Sequence, residues 1–125
     1  MPPGYLFCHS NWAKRFKVLV DRYSHIIRGQ FYGHTHQDHF EVMTSFIDEK
    51  PISTAFITPS LTTFSAQNPS IRIFEVDADT NIPVNILQYR LNLTKANMDR
   101  NSTLKWDLAY DFLSVRIYIY IILYL

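Results

Sequence analysis

The stretch Gln30-Phe31-Tyr32-Gly33-His34-Thr35-His36-Gln37-Asp38-His39-Phe40-Glu41-Val42 leaves the chain little conformational choice. It reads as a short apolar strand, a sharp turn carrying two histidines one residue apart, and a second strand, so it calls for a sheet with the turn at its end. Gly33 at the strand exit permits a positive φ and leaves room above the sheet. With period-2 geometry, His34 and His36 project to the same side and can aim at one point. Neutral imidazole is the commonest protein ligand for zinc and similar metals, so the pair is a candidate half-site. A zinc site takes about three or four ligands. Asp38 and His39 are near in sequence, but a contiguous cluster seldom closes a coordination sphere, and the remaining ligands would come from elsewhere in a chain that offers few. The competing reading is a solvated surface turn.

Upstream, an irregular lead-in reaches Ser10, a reasonable N-cap. Trp12, Phe16, Leu19, Tyr23 and Ile26 then recur at helical spacing. This predicts an amphipathic helix over Asn11–Arg28 whose aromatic stripe is core, stopped by Gly29. His25, near the edge of that stripe, is structural or solvated. The helix feeds the Gln30–Tyr32 strand, which puts the histidine turn at a strand's C-terminal end, where open α/β sheets hold ligands. Further strands are expected at Phe40–Ile47, Ile52–Thr58, Ile71–Val76 and Val84–Leu93. In the third of these, Ile71, Ile73 and Val76 surround Arg72, Phe74 and Glu75, as in a strand with one solvated face. Ser60–Ala66 is a loop or edge strand, Asn92–Ser102 is loop-like, and a second helix is expected over Trp106–Leu113. Short polar turns between strands favour antiparallel pairing. The fold class is α+β: one amphipathic helix followed by a mainly antiparallel sheet.

The chain has 125 residues, enough for about one domain, and is 47% hydrophobic, enough for a core. A net charge of +1 gives no electrostatic case for nucleic acid or an acidic membrane. After Arg116 only Ile117–Leu125 is uncharged and apolar, well short of the roughly 20 residues that span a bilayer. The chain therefore divides into residues 1–111 and an atypical apolar tail, 112–125. The lone cysteine, Cys8, and the sequons at Asn92 and Asn101 suggest a secreted context. Met1-Pro2-Pro3-Gly4 is no signal peptide, and a chain with these features but no signal is expected to be incomplete at its start.

Taken together, Pro2-Pro3-Gly4, Gln30-Phe31-Tyr32-Gly33-His34-Thr35-His36, Phe40-Glu41-Val42, Pro51-Ile52-Ser53, Ala55-Phe56-Ile57-Thr58-Pro59-Ser60, Asn68-Pro69 and Leu91-Asn92-Leu93-Thr94 resemble the acid sphingomyelinase family of calcineurin-like metallophosphoesterases. The resemblance covers about residues 1–111 and implies the last part of the αββα sandwich of that catalytic domain. It implies a secreted or lysosomal glycoprotein with two zinc ions that cleaves a phosphodiester lipid, typically sphingomyelin, by attack of metal-bound hydroxide. His34 would ligate one zinc and His36 the other. Asn92 would be glycosylated, and Cys8 would be half of a disulfide whose partner lies upstream.

The departures from the family pattern carry as much weight. Its Asp-x-His pair, bridging Asp and Asn-His-Glu motif are not in this chain, and Met1 stands where the family has a zinc-binding histidine. Two histidines without a bridging carboxylate cannot hold two cations about 3.5–4 Å apart. The expectation is a catalytic-domain fragment that binds zinc weakly and turns over little. The alternative is an inactive truncated remnant or a paralogue that only binds. Strands left with an open sheet edge are also expected to fold poorly alone.

Overall fold

The computed structural model describes residues 3–98, 101 and 103–115. The first helix, α1 (Ser10–Arg22), lies on a three-stranded sheet of β1 (Gln30–Tyr32), β2 (His39–Thr44) and β3 (Pro51–Ile57) in the order β1-β3-β2. A second three-stranded sheet holds β4 (Ser70–Val76), β5 (Pro83–Leu91) and β6 (Trp106–Asp111), with β5 central. A short helix, α2 (Leu93–Met98), joins β5 to the segment before β6. The layers therefore run helix, sheet, sheet, an α+β arrangement. Three of the four strand pairings among the described residues are antiparallel, and β1 with β3 is the parallel one.

The helix is shorter than its hydrophobic spacing predicts. It starts at Ser10 with His9 as an N-cap that makes no side-chain cap bond, and ends at Arg22 with Tyr23 as C-cap, not at Arg28. Beyond Arg22, the Ile26 and Ile27 amides both donate to the Tyr23 carbonyl at 2.9 Å, giving tight turns. Ser24, His25, Ile26 and Ile27 all rank low in helix propensity. The Asp21 carboxylate, meanwhile, accepts from the Phe46 amide at 2.8 Å and Ser45 Oγ at 3.3 Å, tying the helix end to the loop after β2.

The buried line of α1 is also rotated by a residue from the predicted stripe. Ala13 and Val20 are buried, while Trp12, Leu19, Tyr23 and Ile26 are exposed. Val20 packs with Met43 and Ala55, flanked by Phe16, Ile27, Tyr32 and Ile52. Small and β-branched side chains let the helix backbone approach the sheet, and Trp12 instead stacks on Phe16 from the flank, ring centroids 5.0 Å apart. Within this core Gln30 is buried but satisfied. Its Nε2 donates to Ser53 Oγ at 2.9 Å, and its Oε1 accepts from the Tyr32 hydroxyl at 2.8 Å.

Other boundaries move as well. β2 stops at Thr44, β5 stops at Leu91, and Leu93–Met98 is helical where a loop is expected, while Ser60–Ala66 takes the loop alternative with a 3-10 turn at Phe64–Ala66. Trp106–Asp111 is a strand, not a helix: it completes the hydrogen bonding of β5 from Leu91↔Trp106 to Leu87↔Asp111. A segment lying beside an open strand edge gains more from that ladder than from weak helical periodicity. β4 is turned over relative to the alternation reading. Arg72 and Phe74 face inward, and Ile71, Ile73 and Val76 are exposed. The rings of Phe31, Phe56 and Phe74 meet at centroid distances of 4.8–5.9 Å and bring the two sheets into contact. After β6, Phe112–Val115 stays attached to the second sheet through Phe112 N to Ile86 O at 3.0 Å. The apolar tail after Val115 lies outside the described residues, as do Met1 and Pro2 of the lead-in.

Met43 occupies the centre of the helix–sheet core. Replacing it with alanine is expected to lower unfolding free energy by about 2–5 kcal/mol. Urea denaturation measures this, and a loss within error would show that this core does not hold the fold.

Candidate functional site

Because β3 lies between β1 and β2, the connection from Tyr32 to His39 crosses over the C-terminal end of β3. The Thr58 amide and hydroxyl both donate to the Tyr32 carbonyl at 2.9 Å, which closes the strand end beneath the turn. The histidines therefore sit above the C-terminal ends of a parallel pair, the ligand-binding end of such sheets.

The way the turn is made differs from the period-2 reading. Residues 33–38 are not strand, and Gly33 does not take a positive φ. His34 (φ 84°) and His36 (φ 60°) do. Gly33 instead keeps space open: an added Cβ would meet nothing within 4 Å. Ser65 and Ala66 are also left-handed, so four of the six such non-glycine residues among the described residues lie in the turn or in the loop facing it. Each costs on the order of 1–3 kcal/mol, and such strain gathers at ligand sites.

Each histidine has an aromatic neighbour. The His34 ring is edge-on to Phe7 at 6.1 Å, and the His36 ring is edge-on to Phe64 at 5.7 Å. His34 is exposed. His36 is half-buried, and its Nδ1 is buried with no hydrogen-bond partner among the described residues. A buried nitrogen left without a partner is uncommon because it costs its desolvation; metal coordination is one way to satisfy it. His39 begins β2 and tilts against Tyr5 at 6.2 Å. Among the described residues, no three His, Cys, Asp or Glu side chains come together in a group able to hold a metal ion. His36 thus fits a metal ligand, and His34 lies beside it in the turn. The two histidines are the candidate ligands of the turn.

A polar cluster next to the turn had no signal in the sequence. Asp38 is ion-paired to Arg72 Nη2, and Tyr110 lies between them. Arg72 Nη2 donates to the Tyr110 oxygen at 2.9 Å, and the Tyr110 hydroxyl donates to Asp38 Oδ2 at 2.7 Å. Arg72 Nε donates to Gln88 Oε1 at 2.7 Å. The cluster borders a cavity of about 660 Å³ between the sheets, whose other walls include Phe40, Phe56, Ile86 and Phe112. Burial, then the hydrogen bond to Asp38, raises the Tyr110 hydroxyl to about 12, opposed by the nearby Arg72 charge. Tyr32 is raised as well, by burial first and then by the charges of Glu41 and Cys8. Arg72 was hidden because inward-facing arginine in an amphipathic strand looks the same as outward-facing arginine. Only its register opposite Gln88 distinguishes it.

Of the remaining candidates, Cys8 is a half-buried free thiol. Asn92 caps α2, its Oδ1 accepting from the Lys95 amide at 3.1 Å. Asn101 is exposed.

Over 118 residues the chain is 37% identical to sphingomyelin phosphodiesterase B of Dictyostelium discoideum, matching 89% of this chain. It is also 37% identical to sphingomyelin phosphodiesterase of Bos taurus, over 88% of this chain. The chain belongs to the acid sphingomyelinase family. It spans 18% of the length of each of these two relatives. The human cyclic GMP-AMP phosphodiesterase SMPDL3A is 34% identical across 88% of this chain, which spans 26% of that protein. No protein-family model matches. The matched region takes in both the histidine turn and most of the polar cluster's strands, so this family segment contains its candidate ligands and the elements that hold them.

The Tyr110 shift sets a pH dependence for this segment. A hydroxyl whose pKa is higher folded than unfolded stabilises the fold fully below about 10, its ordinary value, and that contribution is lost as pH rises towards about 12. In a phenolate absorbance titration, Tyr110→Phe is expected to remove the highest-pH tyrosine step. Loss of an ordinary step near pH 10 instead would contradict the burial and bonding described.

Proposed function

We propose that this chain supplies the His34–His36 part of a two-zinc phosphodiesterase site that acts on a sphingomyelin-like phosphodiester lipid. The observation that carries this reading is the buried, unpartnered Nδ1 of His36 in a strained turn above a parallel strand end. The names of the relatives, all phosphodiesterases, support this reaction class. His34 and His36 would hold the metal, and His36 would do so through the nitrogen that has no other partner. When bound, such a metal pair polarises the phosphoryl group and activates water.

This chain's own part is positional. β1 and β3 set the height of the turn, and Thr58 closes the strand end below it. The open space at Gly33 leaves room for a ligand close to the backbone. The phenyl rings of Phe7 and Phe64 each meet one imidazole edge-on, at 6.1 and 5.7 Å. The same reading makes the intact protein a secreted or lysosomal glycoprotein, with Asn92 and Asn101 as acceptors and Cys8 paired in a disulfide. At Asn92 the cap uses the side-chain oxygen, and the glycan is carried on the nitrogen.

A second reading is supported by the lack of a third convergent ligand among the described residues: a chain that binds a partner or a metal but does not turn over substrate. Zinc binding by equilibrium dialysis, together with hydrolysis of sphingomyelin vesicles, separates the two. The expected result is weak zinc binding lost in His36→Ala, with little or no turnover by this chain alone. Zinc-dependent turnover by the purified chain would show that it carries a complete centre. Zinc binding unaffected by both His34→Ala and His36→Ala would remove the proposed ligands.

A further inference from the structure

Asp38, two residues after His36, is where the turn is fastened to the second sheet. One carboxylate oxygen accepts from Arg72 Nη2, and the other accepts from the Tyr110 hydroxyl at 2.7 Å. Arg72 is itself held on every nitrogen: Nε by Gln88 at 2.7 Å, Nη1 by the Ile57 carbonyl at 3.3 Å, and Nη2 by Asp38 and Tyr110. Its side chain is only 2% exposed. Gln88 is fixed in turn, its Nε2 donating to the Ile71 and Tyr89 carbonyls at 3.1 Å. A continuous series of hydrogen bonds thus runs from the central strand of the second sheet to the Asp38 carboxylate, two residues after His36.

The bond made within the turn by its own side chains is local and long, Gln37 N to Thr35 Oγ1 at 3.3 Å. It does not set where the turn sits relative to the sheets. An ion pair whose carboxylate stays exposed, as Asp38 does, also contributes little to stability. What this one provides is a fixed position for residue 38, and hence for the two left-handed residues just before it. Groups that orient a metal-binding histidine from behind influence metal affinity without touching the metal.

We propose that Arg72 and Tyr110 are positioning residues for the candidate metal ligand His36, acting through Asp38. This rests on the reading of His36 as a ligand, so the experiment tests both links. The full chain is titrated with Co²⁺, following the visible absorption of the bound ion, and thermal melting is recorded in parallel. Tyr110→Phe removes one hydroxyl and leaves the ring in place, Arg72→Lys keeps the charge but loses the fork, and Met43→Ala weakens the fold on the far side of the first sheet. Tyr110→Phe and Arg72→Lys are expected to weaken Co²⁺ binding about 10–100-fold and to alter the absorption band. Met43→Ala is expected to lower the melting temperature and leave both unchanged.

If the wild-type chain shows no saturable Co²⁺ binding, or binding indifferent to His36→Ala, the ligand reading fails. If His36→Ala abolishes binding while Tyr110→Phe and Arg72→Lys keep wild-type affinity and band, the positioning role alone fails. Loss of affinity that follows melting temperature across all variants, Met43→Ala included, also overturns positioning, because stability would then account for it.

Discussion

The insertion of β3 between β1 and β2 is the constraint from which the rest of the candidate site follows. β3 bonds β1 in parallel on one edge and β2 antiparallel on the other. A tight hairpin cannot join β1 to β2 when a third strand lies between them, so the connection must cross the strand end. That crossing forces the turn out of extended geometry and puts His34 and His36 in left-handed conformations. The strain at the histidines is thus a consequence of strand order, and the open position at Gly33 is what the crossing leaves above the sheet.

The two faces of the first sheet are handled by different physics. On the helix side, Val20, Met43 and Ala55 form a small apolar core, and the Gln30 amide buried there is hydrogen-bonded at both its oxygen and its nitrogen. On the other side, the contact with the second sheet combines the Phe31, Phe56 and Phe74 rings with the Arg72 cluster. The aromatic contact is non-directional and holds the layers together. The polar cluster is directional, and its end lies beside the turn. Division of labour of this kind lets the same interface supply both cohesion and register.

Much of the architecture was legible in the residues because it depends on local chemistry. The β1 and β3 segments stand out as short apolar runs ended by glycine or proline, and helix α1 stands out by its periodicity. The errors have identifiable causes. The aromatic stripe of α1 was read as core because large apolar residues dominate any moment, yet the sheet accepts the smaller Ala13–Val20 line. Trp106–Leu113 reads as helix in isolation, but a single strand edge elsewhere in the chain, that of β5, makes Trp106–Asp111 a strand. The inward face of β4 was inverted because Arg72 is satisfied by partners 15 to 38 residues distant in sequence.

The sequence by itself determined the family and the α+β class, and it singled out His34 and His36 as candidates, since these rest on residue types at short spacing. Tertiary structure decided the order of the strands, the crossing of the histidine turn over β3, and the attachment of Asp38 to Arg72 and Tyr110. The physical reason is range. Periodicity and turn chemistry act within a few residues, whereas strand order and buried polar pairing are settled by which distant edges and charges the folded chain brings together.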